Sequence, residues 1–301
     1  MTRALLVAGL LVLAGCSGLS VPAGDSGTDT ATLTPVPVPE RGTAAENGSA
    51  PPESELAPGL TADGVADPFA LANAHRRVLA NQSYTVHSET RLVGPNGTLR
   101  TVDRVLRVSA GGGRYLLVER SDSAPAYPVQ SVAARLELWY AGGPALFRVG
   151  EQNVSYRRGT TVTLGGPVGD ITGHDRLAGL YGGVDRWAVE TRIGWRNAFF
   201  TLESQTPPDR GVLDVPVLVE EPRNASIRLV LRNDGRVDHY RVRYRATFDG
   251  QPVEVVRRVH YAGVGNTTVT EPDWVGEARD ATAGPTVESS GTRDTDDLTG
   301  G

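Results

Sequence analysis

Between Ala225 and Tyr261 the chain alternates apolar and polar residues three times over, with tight-turn residues between the runs. Ile227, Leu229 and Leu231 stand against Arg228, Val230 and Arg232, and Asn233-Asp234-Gly235 follows. Tyr240, Val242, Tyr244, Ala246 and Phe248 then stand against His239, Arg241, Arg243, Arg245 and Thr247, and Asp249-Gly250 leads into Val253 to Tyr261. A period of two sends alternate side chains to opposite faces of a strand, and Asp-Gly supplies the positive φ that short hairpins need. The segment therefore predicts consecutive long strands of one antiparallel sheet, apolar on one face and studded with arginine on the other.

The same period recurs earlier. Tyr84, Val86, Ser88, Thr90 and Leu92 alternate with Thr85, His87, Glu89 and Arg91; Pro95-Asn96-Gly97 turns the chain into a strand from Leu99 to about Ser109. Further strands are predicted at Tyr115 to Glu119, Arg135 to Tyr140 and Ala145 to Val149. Before them, Asp67 and Pro68 open a helix in which Phe69, Leu71, Ala72, His75, Val78 and Leu79 recur at helical spacing, ending near Asn81. Asp175 to Tyr181 reads as a short helix, and Trp187 to Leu202 fits helix or strand, with helix the favoured reading. An apolar sheet face must be covered, and these helices are the available covers. The expectation is an α+β fold: a strongly curved antiparallel β-sheet, a half barrel, packed on an N-terminal helix and a central helical segment.

Composition sets the boundaries. Residues 17–66 and 276–301 are dominated by Gly, Pro, Ser, Thr, Ala and acids, too poor in apolar surface to order themselves. Residues 17–66 hold seven acids against Arg41 alone, and residues 271–301 hold eight against Arg279 and Arg293. Between them arginine outnumbers acid, although the whole chain carries a net charge of −5. There is no lysine. Two acidic arms thus flank a basic domain, which suits an anionic partner or simply a well-solvated surface.

Cys16 is the sole cysteine and follows Leu13-Ala14-Gly15 at the end of a short apolar stretch with Arg3 before it. Ala4 to Leu13 is too short to span a bilayer. The segment resembles a lipoprotein signal peptide, which implies cleavage before Cys16 and a lipid on its sulfur. The expected organisation is a signal peptide at 1–15, the lipidated cysteine and a Pro/Thr-rich acidic tether at 16–66, a single α+β half-barrel domain at 67–275 and an acidic tail at 276–301. The lipid would anchor the chain to the cell membrane, facing the exterior. Six Asn-x-Ser/Thr sequons, at Asn47, Asn81, Asn96, Asn153, Asn224 and Asn266, are candidate N-glycosylation sites and fit an exported protein.

Together, the lipobox, the tether and the run from Ala70 to Leu79 leading into Ser83-Tyr84-Thr85-Val86 resemble a group of haloarchaeal lipoproteins of unknown function. More remotely the arrangement is similar to the half-barrel lipid-carrier and lipid-binding lipoproteins of bacteria. That resemblance implies a sheet closing over a cavity for an apolar ligand.

Motifs for chemistry are missing. Gly24-Asp25-Ser26-Gly27 matches a serine-protease nucleophile signature but sits in the tether, where neither an oxyanion hole nor a positioned histidine is offered. His75, His87, His174, His239 and His260 are scattered without metal-ligand spacing. Gly165 to Gly169 lacks the lysine and helix of a phosphate loop, and Asp294, Asp296 and Asp297 lack the spacing of a calcium loop. No enzyme, cofactor or metal is expected, and no nucleic acid.

The function expected is a binding module for an apolar or lipid-like ligand, with Tyr84, Trp139, Trp187, Trp195, Phe199, Tyr240, Tyr244 and Phe248 as candidate cavity lining. The alternative is a structural protein of the cell envelope that docks an anionic envelope or surface-layer partner. Its candidate face is Arg228, Arg232, Arg241, Arg243 and Arg245, with Glu89 and Glu254 as candidate partners of those arginines.

Overall fold

The computed structural model describes residues 54–124, 134–159, 170–193 and 198–283. A two-stranded ribbon, β1 (Leu60–Thr61) and β2 (Gly64–Val65), leads into helix α1 (Pro68–Ala80). Asp67 caps α1 by accepting a hydrogen bond from the Ala70 N–H at 2.9 Å, and Pro68 occupies the first turn, where no N–H is needed. The helix buries Leu71, Ala72, Ala74, His75 and Leu79. Phe69, expected on that stripe, instead points away from the core and is 66% exposed.

From α1 the chain enters an antiparallel meander: β3 (Tyr84–Gly94), β4 (Gly97–Val108), β5 (Tyr115–Ser123), β6 (Arg135–Tyr140), β7 (Ala145–Val149) and β8 (Ser155–Gly159). Helix α2 (His174–Gly182) precedes a second meander: β9 (Trp187–Ile193), β10 (Ala198–Ser204), β11 (Val219–Arg232), β12 (Val237–Phe248) and β13 (Gln251–Ala262). The two meanders join where β13 pairs with β3, giving the order β8-β7-β6-β5-β4-β3-β13-β12-β11-β10-β9. Among the described residues the ends of this sheet, β8 and β9, do not pair, so it is one large antiparallel sheet that is not closed into a barrel. The α+β class and the antiparallel sheet agree with the sequence reading.

The central segment does not. Trp187 to Leu202, expected to be helical, supplies β9 and most of β10, with Trp187 and Leu202 buried and Phe199 pairing with Arg232. Apolar residues there fall on both strand faces, which hides the period of two. Two boundaries also move. Ala57 and Leu60 are buried within the core, inside the stretch expected as tether, and helix α3 (Trp274–Ala281) runs past residue 275.

The sheet has two faces with different cover. The inner face meets α1 and α2, and its core includes Leu71, Leu177, Tyr181, Leu202, Leu229, Leu231, Tyr240 and Tyr244. Gly235, in the β11–β12 turn, adopts φ +82 and lies against α1 so closely that a Cβ there would stand 2.5 Å from the Ala74 Cβ. The outer face carries α3, whose Val275 and Ala278 form a small separate core with Trp139 and Leu146. Glu137 ties this patch together, accepting from the Trp274 Nε1–H at 2.7 Å, the Arg135 Nε–H at 2.6 Å and the Arg148 Nη1 at 2.8 Å. Burial opposes ionisation of Glu137, but those three donors outweigh it and hold its carboxyl below the usual range.

Candidate functional site

Inner-face positions of β3 to β7 are filled where the strands approach α1, by Tyr84, Leu106, Val108, Tyr115 and Ala145. Further along the same strands the core phase turns small or polar: Ser88 and Thr90 on β3, Arg100 and Arg104 on β4, Glu119 on β5. The result is a cavity of about 660 Å³. Its apolar floor is Leu92, Val102, Leu117, Leu136, Leu138, Phe147 and Val149, and its rim is the loop Asp214-Val215-Pro216-Val217. That size suits a small organic ligand.

Arg257 forms the polar side. It sits on the inner face of the central strand β13, between Val255 and Val259, in register with Val242 on β12 and Thr90 on β3. Its side chain is only 17% exposed, it ion-pairs with Asp214, and its Nε is buried with no hydrogen-bond partner. Burial first, then the nearby Arg176 and Arg104 cations, push its pKa down to about 9. Asp214 is shared, because the Arg176 Nη2 lies 2.6 Å from the same carboxylate oxygen. Arg104 pairs with the buried Glu119, the Arg100 Nε–H donates to Ser121 Oγ at 3.2 Å, and Arg157 lines the cavity from β8. The rim loop is held by the Tyr244 hydroxyl, which donates to the Asp214 carbonyl at 3.0 Å. Beyond it, Val217 and Leu218 are exposed apolar residues, Leu218 at φ 67.

The aromatic residues expected to line a cavity do not line this one. Tyr84, Trp187, Tyr240, Tyr244 and Phe248 are buried in the filled core. Tyr84 donates to the Ile171 carbonyl at 3.1 Å and Trp187 to the Tyr181 carbonyl at 3.2 Å. Trp139 lies on the outer face beneath α3, and Phe199 packs beneath the Arg232 guanidinium at 5.1 Å. Trp195, like Cys16 and Asn47, lies outside the described residues. Large rings fill space best, so they went where the helices close down; the hollow is walled by aliphatic side chains and arginine.

On the outer face, Arg228, Arg241 and Arg258 align across β11, β12 and β13, as the alternation predicts. Arg228 pairs with Glu203 at 3.0 Å, Arg258 with Glu89 at 2.8 Å, and Arg243 with Glu254. Arg232 approaches Asp238 at 4.0 Å, whereas Arg241 and Arg245 have no ion-pair partner among the described residues. Glu254 thus meets one of the five face arginines, while Glu89 serves Arg91 and Arg258 instead.

Three of the five histidines, scattered in sequence, are brought into one row. His239, His260 and His87 occupy matched positions on β12, β13 and β3, with ring centroids 6.5 Å apart at each step, in an outer groove of about 550 Å³. Burial, then His260 and Arg107, lower the His87 pKa. The signal for this row was present as three outward-phase histidines but needed the register to be seen. Among the described residues no group of three or more His, Cys, Asp or Glu stands close enough to hold a metal ion. The sequons at Asn81, Asn96, Asn153, Asn224 and Asn266 are all exposed.

No protein-family model matches the chain, and no curated protein matches it. Among solved structures it is similar to a LolA superfamily protein from Nitrosomonas europaea, at 10% identity and a TM-score of 0.25, over 69% of this chain and 96% of that one. It is also similar to a DUF1329 family protein from Desulfovibrio piger, at 11% identity and a TM-score of 0.27, over 69% of this chain and 94% of that one. Neither is a haloarchaeal lipoprotein. At such scores the likeness carries no ligand across, and the cavity has to be judged on its own residues.

Proposed function

We propose that this chain is a non-catalytic binding module, anchored outside a cell membrane by lipid on Cys16, that holds an apolar, lipid-like molecule in the cavity over β3–β7. The observation that carries the reading is the uncovered apolar floor. Val102, Leu136 and Val149 are only half-buried, and their side chains line a void of about 660 Å³ above the buried Leu117, Leu138 and Phe147. Covering that floor with methylene groups yields on the order of 0.8 kcal/mol for each CH₂ removed from water. The exposed Val217 and Leu218 beside the rim extend the apolar surface to the entrance.

The test is native mass spectrometry of the full chain from its own host, followed by organic extraction. A stoichiometric non-covalent apolar adduct is expected, distinct from any lipid that stays on Cys16 after extraction. Filling the void by Val102→Phe with Val149→Phe, at half-buried positions that line it, should abolish that adduct while leaving the protein folded. A clean mass without adduct from gently handled protein overturns the reading.

A second reading has its own observation. Arg241 is crowded by Arg258 and Arg243, and after burial these cations lower its pKa, so this part of the outer face is short of counter-charge. An anionic envelope partner docked there would be released by salt and lost on replacing Arg241 and Arg245 with glutamine.

A further inference from the structure

We propose that the molecule held in the cavity is an anionic amphiphile, its tail on the aliphatic floor and its negatively charged head on the guanidinium groups of Arg257 and Arg157. This rests on the cavity being a ligand site and adds the chemical class of the ligand.

Arg257 occupies a position where arginine does not belong. The inner face of β13 otherwise carries Val253, Val255, Val259 and Tyr261, all buried. Placing a cation in that row costs desolvation free energy unless a counter-charge and hydrogen bonds compensate. Here compensation is incomplete. Asp214 is divided between Arg257 and Arg176, Glu119 is engaged by Arg104, and the Arg257 Nε has no acceptor. No described acid pairs with Arg157, on the far wall.

Among the described residues, Arg104, Arg157, Arg176 and Arg257 stand at or beside the cavity with two carboxylates, Asp214 and Glu119, to pair with. A carboxylate, phosphate or sulfate oxygen is the acceptor that the Arg257 Nε lacks, and guanidinium binds such groups through short, charge-assisted bonds. The polar side adjoins the aliphatic floor directly, so one molecule reaches both only if it has a charged end and an apolar end.

The experiment uses the full chain and five probes with the same twelve-carbon tail: laurate, dodecyl phosphate, dodecyl sulfate, methyl laurate and dodecyltrimethylammonium. Affinities are read by displacement of an environment-sensitive fluorophore below each probe's micelle concentration. The expected result is that at least one anion binds at least about tenfold tighter than the uncharged ester, with the cation weakest; the three anions separate carboxylate, phosphate and sulfate heads. Arg257→Gln should abolish that preference while leaving the affinity for methyl laurate within about twofold. Arg157→Gln, on an edge strand where folding is not at stake, should weaken only the anions. Equal affinity of the unaltered protein for anion and ester overturns the head-group inference and leaves the apolar site standing. Failure of all five probes to bind overturns both.

Discussion

The inner face of the sheet shows the same alternating pattern on both sides of its centre, yet one side is filled and the other hollow. Under β10 to β12 the inward residues are apolar and uninterrupted, from Phe200 and Leu202 through Ile227, Leu229 and Leu231 to Tyr240 and Tyr244. Helices α1 and α2 close the central part of this face. Over the far ends of β3 to β7 the inward phase is broken by Ser88, Thr90, Arg104 and Glu119, and a void remains. Alternation thus specifies which face turns inward, and the identity of the inward residues decides whether that face becomes core or binding surface.

The largest effect should come from deleting volume on the filled side. Leu229 is fully buried, so Leu229→Ala is expected to cost about 3 kcal/mol of unfolding free energy, through lost transfer and a new cavity. Val102→Ala, on the hollow side, should cost less than about 1 kcal/mol, because its side chain already faces space. Urea denaturation of both variants decides the matter; equal losses would erase the distinction.

Acid should also act on the filled side. His75 is fully buried, with Nδ1 accepting from the Val237 N–H at 3.0 Å and its Nε2–H donating to the Thr172 carbonyl at 3.0 Å. Burial dominates and lowers its pKa from 6.5 to about 4, so the folded protein keeps the ring neutral where the unfolded chain takes up a proton. Its contribution is therefore complete above pH 6.5 and is lost as pH falls toward 4, by about 3 kcal/mol in total at 1.36 kcal/mol per pH unit. Stability of the chain measured from pH 7.5 to 4 should show this slope. His75→Leu should remove that contribution while lowering stability at neutral pH, since the Val237 N–H and Thr172 carbonyl lose a partner.

Much of this fold was legible because a period of two survives in β3, β4, β11 and β12, and because Asp67 with Pro68 marks a helix start. The rest was hidden for identifiable reasons. β9 and β10 carry apolar residues on both faces, Trp187 and Phe200 inward and Phe199 outward, which imitates a helical pattern. Residues 54–66 and α3 are ordered by a few buried contacts, among them Leu60 and Val275, within stretches whose overall composition is acidic and polar. The expected aromatic rings do not mark the cavity. Its signature was the opposite, a polar residue on the inward phase: Arg257 between Val255 and Val259, and Arg104 between Val102 and Leu106.

A smaller effect tests how α1 closes the filled side. Gly235 is the one position where the β11–β12 turn both needs a positive φ and touches Ala74. Gly235→Ala should cost about 2 kcal/mol, from left-handed backbone strain and overpacking against α1. Thermal unfolding reads this directly. An unchanged midpoint would mean that the helix yields and that the filled side is less tightly closed than its burial implies.

The smallest stability effect is expected at Arg257, and there the contrast is sharpest. Replacing a buried cation usually costs several kcal/mol because its partner is stranded. Asp214 is about half exposed and keeps Arg176 at 2.6 Å, so removing Arg257 strands nothing. Arg257→Met should leave unfolding free energy within about 1 kcal/mol of the unaltered chain, or raise it, since crowding with Arg176 and Arg104 is relieved. The same substitution should remove the preference for anionic amphiphiles. A residue whose loss costs binding and not stability belongs to the site, whereas Leu229 shows the reverse. If Arg257→Met instead unfolds the protein, Arg257 is part of the core and the hollow side has no dedicated cationic end.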